Sequence, residues 1–117
     1  LDTVSWSKKV YVVEGPLDSL FLDNCIATAQ SDLRVPKKDN VVLIPDNEPR
    51  NREIVRRIEK FIEDDYSVCL FPENIKQKDI NDMVLSGINN IQKIIDDNTF
   101  TGLEAKVRFR DWRKIDA

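Results

Sequence analysis

The residues of this chain best suited to chemistry are carboxylates, gathered in three short clusters: Glu14-Gly15-Pro16-Leu17-Asp18, Asp46-Asn47-Glu48 and Lys78-Asp79-Ile80-Asn81-Asp82. Oxygen donors in small groups suit a hard divalent cation such as Mg²⁺, which binds a few carboxylates together with waters and substrate phosphates. Asp46 and Glu48 stand two residues apart, so in extended backbone their side chains project to the same side. Asp18 follows Glu14 by four residues and can face the same cleft from a first helical turn. Plainer roles exist for each acid. Asp18 complements a helix dipole, Asp46 serves a turn, and Asp79 caps a helix that carries Asp82 in its first turn. The three clusters stand out together because each lies where a strand gives way to a loop or helix.

Those elements follow from the hydrophobic pattern. Lys9 to Val13 is a β-branched and aromatic run that ends at Glu14-Gly15, the mark of a buried strand and a tight turn. Pro16 opens a helix through about Asp23, with Leu17, Leu20 and Phe21 at core-facing spacing. Cys25 to Ala29 reads as a second strand, and Ser31 to Asn40 as a loop. Val41 to Ile44 is the clearest buried strand, broken by Pro45 and Pro49 around the second acid cluster. From Arg50 to Asp65, the positions of Ile54, Val55, Ile58, Phe61 and Ile62 predict an amphipathic helix. Tyr66 to Phe71 returns as a strand stopped by Pro72.

Asp79 or Asn81 then caps a helix that Gly87 ends, and Asn89 to Asp96 forms another. The residues after Thr99 read as a turn and a last helix capped by Thr101, with Leu103, Val107 and Phe109 partly buried; a strand is the alternative. Strands alternating with helices predict an α/β fold with a mostly parallel sheet of about four strands. In such folds the carboxyl ends of the strands share one edge of the sheet, which is how carboxylates from separate strands can meet.

Composition narrows the function. With 117 residues, 41% hydrophobic and 33% charged, the chain fits one compact domain, and no apolar run approaches the ~20 residues of a membrane span. The start lacks the basic and apolar segments of a signal peptide, and the missing initiator Met suggests a fragment of a larger protein. No His and only two Cys argue against a zinc site, and Cys25 and Cys69 sit in apolar segments as small hydrophobes. The formal charge of −3 argues against strong autonomous nucleic-acid binding. Basic residues nonetheless crowd the helix after the second acid cluster and the C-terminal tail, and Arg50 and Arg52 are candidates for phosphate contact.

The three clusters resemble the Toprim signature, shared by bacterial-type primases, topoisomerases, OLD-family nucleases and RecR-type repair proteins. Glu14-Gly15 with Asp18 matches the Glu-Gly-x-x-Asp style of primases, Asp46-Asn47-Glu48 the Asp-x-Asp motif, and Lys78 to Asp82 the further acidic motif. Glu48 departs from the usual second Asp, and Pro49-Arg50 replaces the small Ala-Gly that often follows. The likeness runs from about Val10 to Gly87, a Toprim core followed by a helical extension over 88–117, and its wording is closest to primases of T-even-type tailed phages.

The resemblance implies a Toprim-like, Rossmann-like fold and metal-dependent nucleotidyl transfer that makes RNA primers on single-stranded DNA. Glu14 would be general base or metal ligand, and Asp18, Asp46, Glu48, Asp79 and Asp82 would hold Mg²⁺ or Mn²⁺. The implied partners are template, nucleoside triphosphates and a replicative helicase, in the cytoplasm of a bacterial or phage-infected cell. Two alternatives stand beside it: a Toprim nuclease using the same acids, and a non-catalytic Toprim module that docks proteins.

Overall fold

The computed structural model describes residues 9–15, 21–22, 24–27 and 40–115. Within them are the strands β1 (Val10–Val13), β2 (Cys25–Ala27), β3 (Val41–Ile44), β4 (Ser67–Cys69) and β5 (Thr99–Phe100), and the helices α1 (Arg52–Glu63), α2 (Ile80–Leu85), α3 (Ile91–Asp97) and α4 (Gly102–Trp112). One sheet runs in the order β2-β1-β3-β4-β5. The first four strands are parallel to their neighbours, with Val10 opposite Val41 and Val13 opposite Ile44 at the centre. This is the α/β architecture that the alternation of elements predicts. The short edge strand β5 adds an antiparallel pair, Val68 with Phe100 and Cys69 with Thr99.

Every side chain of β1 and β3 is buried, which explains why these strands read as unbroken apolar runs rather than alternating ones. Alternation along each strand divides them between two layers. Tyr11, Val13, Val42, Ile44, Cys69 and Phe71 face α2 and α3, where Ile80, Met83, Ile91 and Ile95 complete the core. On the other face, Val68 and Leu70 pack against α1, through Ile54, Val55, Ile58 and Ile62, and against α4, through Ala105 and Phe109. Burying each large aliphatic of α1 is worth on the order of 2 kcal/mol. Tyr11 and Tyr66 are buried too, and Tyr11 donates its hydroxyl to Asp96 at 2.6 Å. Neither cysteine is in a disulfide, and burial, with a smaller contribution from Asp96, pushes the Cys69 thiol up.

The helix ends follow from local chemistry. Asn51 caps α1 by accepting from the N–H groups of Glu53 and Ile54, so the helix starts two residues later than the apolar spacing alone suggests. Gly87, at φ +98°, ends α2 as predicted: its N–H reaches Val84 and the N–H of Ile88 reaches Met83, the paired closure that a left-handed residue permits.

Several expectations change. The Pro16 helix lies largely outside the described residues, as do Ala29 and the loop before Asn40. Strand β5 replaces a predicted turn; it exists because the Leu70 N–H bonds to the Asn98 carbonyl and draws this segment onto the sheet edge. The last segment is a helix, but Leu103 and Val107 are exposed, at 77% and 54%, while Ala105 and Phe109 are buried. Residues four apart share a helix face, and the pair that meets the sheet is Ala105 and Phe109. Thr101 is the residue before α4, yet its hydroxyl bonds to Ser67 at 2.5 Å instead of capping the helix.

Candidate functional site

In the strand order β2-β1-β3-β4, the chain leaves β1 toward one side and returns on the other, so β1 and β3 flank the point where the order reverses. Ligands of open α/β sheets bind in the crevice outside the carboxyl ends of the strands at that point. Glu14 follows the last residue of β1, and Asp46 lies two residues beyond β3. The backbone N–H of Asp46 donates to Glu14 Oε2 at 3.3 Å, so the first two acid clusters meet directly across the crevice.

Glu14 has a second partner. Arg57, on α1, donates to Glu14 Oε1 through one terminal nitrogen and to Glu53 Oε1, at 3.0 Å, through the other. Burial alone would lower the Arg57 guanidinium, but the hydrogen bond it donates to Glu53 and the charges of Glu14 and Glu53 outweigh it and leave its pKa raised. The Arg57–Glu14 pair is about three-quarters buried on both sides, which protects it from solvent screening better than a surface pair. Two contacts from separate elements thus fix the carboxylate at the mouth of the crevice.

The second and third clusters are joined through Asn47. Its backbone N–H bonds to the Lys78 carbonyl, and its side-chain amide donates to the carbonyls of Ile75 and Gln77, each at 3.0 Å. Its Oδ1 accepts from Trp112 Nε1 at 3.2 Å, and the Lys114 N–H closes on Pro49 at 2.9 Å. The residue between the two acids therefore ties the loop after β3 to the segment before α2 and to the end of α4.

The other predicted residues are placed as follows. Asp79 accepts from the Asp82 N–H at 2.8 Å and caps α2, as its plainer role requires, while the Asp82 side chain is exposed. Glu48 is half-buried in the same loop as Asp46. Arg50 and Arg52 are exposed around the start of α1, and Asp18 lies outside the described residues. Among the described residues, no three carboxylates or thiols stand close enough together to hold a metal ion. Arg57 and Asn47 are the functional neighbours that reasoning from sequence missed. For Arg57 a signal existed: it is four residues beyond Glu53 and borders the buried stripe of Ile54 and Ile58. Asn47 offered none beyond its place between two acids.

Fold and crevice together define an open α/β protein that presents acids at the carboxyl edge of its sheet. No family model matches the chain. It is 39% identical, over 113 residues, to the DNA primase of Enterobacteria phage T4, a match covering 91% of the chain. The chain spans 33% of that primase's length, and it is thus related to part of a phage DNA primase. No helix among the described residues is long and apolar enough to cross a membrane.

Proposed function

We propose that the chain is the Toprim catalytic domain of a phage-type DNA primase, which joins nucleoside triphosphates into RNA primers on single-stranded DNA. The observation that carries this reading is the meeting of Glu14 and Asp46 between adjacent parallel strands at the reversal point of the sheet. The relation to part of a phage primase supports it.

The donor set at the crevice is all oxygen, which fits a hard cation that retains waters and takes up substrate phosphates. Asp46 and Glu48, with Asp18 and the third cluster as further candidates, would hold Mg²⁺ or Mn²⁺, and Glu14 would receive the proton of the attacking hydroxyl or join them as a ligand. When bound, the metal would stabilise charge on the attacking and leaving oxygens of an in-line displacement. The chain's own part is positional. Arg57 and the Asp46 N–H orient Glu14, Asn47 fixes the loop that bears Asp46 and Glu48, and Arg50 and Arg52 stand where phosphates would approach. Template and a replicative helicase would be the partners, in the cytoplasm of a bacterial or infected cell.

The test is calorimetric titration of Mn²⁺ and Mg²⁺ into the wild-type chain and into Glu14→Gln and Asp46→Asn. Binding that weakens by at least about tenfold in either variant supports the reading, since each removes a charged ligand or its neighbour. Binding equal in all three proteins would overturn it.

A further inference from the structure

Beside the acid crevice lies a cavity of about 440 Å³ between the loops after β3 and β4 and the end of α4. Its size falls within the range of small-ligand sites. Four cations line it, Arg50, Lys76, Arg108 and Lys114, against the two carboxylates of Glu73 and Asp111. The cavity is therefore positive by two charges in a chain whose formal charge is −3.

The cations are available. Arg50 and Lys76 are exposed and make no ion pair among the described residues. Lys114 meets Glu73 only at 3.5 Å, and Arg108 meets Glu104 at 3.8 Å. Loose pairs of this kind contribute little and exchange readily for a stronger anion. The cavity also has aromatic walls. Trp112 and Phe100 are both half-buried, with the Arg108 guanidinium 5.0 Å from the centre of the Phe100 ring. Cations at the rim suit phosphate oxygens, and aromatic and guanidinium planes suit the face of a base.

We propose that this cavity binds a nucleotide, its base against Trp112 and Phe100 and its phosphates on Arg50, Lys76 and Arg108. The site is separate from the carboxylates but not independent of them, because Trp112 also holds Asn47, the fastener of the acid loop. A nucleotide seated here would bear on the residue that sets that loop. The ligand class rests on the cavity's own chemistry; its use in priming rests on the function proposed above. Its source is either a free nucleoside triphosphate or one unit of a single strand.

The experiment is a fluorescence titration of the 117-residue chain carrying Trp6→Phe, which leaves Trp112 as the sole tryptophan. ATP, inorganic triphosphate and a short oligothymidylate are added in turn without divalent metal. The expected result is a saturable change in Trp112 emission with ATP or with the oligonucleotide, weakened about tenfold by Lys76→Gln or Arg108→Gln, the loss of one charge-assisted contact. Stronger binding of ATP assigns the site to the free substrate, and stronger binding of the oligonucleotide assigns it to a strand. Because no divalent metal is present in the titration, failure of the metal site leaves this result standing. No change with either nucleotide ligand would overturn the proposal, as would affinity indifferent to both cation substitutions. Inorganic triphosphate binding as tightly as ATP would reduce the cavity to an anion site and overturn it equally.

Discussion

At the β1–β3 crevice the structure holds acids by charge, whereas at the seam of β3, β4 and α4 it holds backbone by neutral hydrogen bonds. In the crevice, Glu14 leans on Arg57 and one N–H, and Glu48 makes no side-chain hydrogen bond or ion pair among the described residues. In the seam, Asn47 is engaged through its N–H, its amide and its Oδ1 at once. The two regions are one residue apart in sequence. The contrast teaches that a residue without chemistry of its own can decide where its reactive neighbours stand.

If that division holds, Asn47→Ala should be the costliest change at this edge. It strands two backbone carbonyls and an indole N–H, and should lower unfolding stability by about 3 kcal/mol, read from urea midpoints. A loss below about 1 kcal/mol would mean that the seam does not depend on Asn47. Trp112→Phe keeps most of the ring and removes one donor, so a loss of about 1 kcal/mol is expected. Combined with Asn47→Ala it should cost less than the sum of the two, because both remove the same bond, and strict additivity would deny the coupling. Glu48→Gln should change stability by less than about 0.5 kcal/mol. A larger loss there would show that the acid edge is structural, and the contrast between the two regions would fail.

The same contrast separates what the sequence discloses from what it conceals. β1, β3 and α1 are legible because unbroken β-branched runs and i, i+3, i+4 spacing are one-dimensional records of burial. The acids at the strand ends are legible for the same reason, since a parallel sheet carries those ends to one edge. β5 is hidden: two residues carry no period, and their strand state comes from partners in β4. The buried face of α4 is concealed because Leu103 and Val107 are the larger apolar side chains, whereas the small Ala105 is what lets the helix approach the sheet. Arg57 was one base among many on α1, and only the fold shows that it reaches Glu14.

Asn47 also bears on how relatives of this chain can diverge. Three of its four partners are backbone carbonyls, of Ile75, Gln77 and Lys78, which no substitution at those positions removes. The fourth is the Trp112 side chain. Inheritance should accordingly leave positions 77 and 78 free to drift in identity beneath a retained Asn47, with position 75 held apolar by its own place in the core, while positions 47 and 112 change hands together.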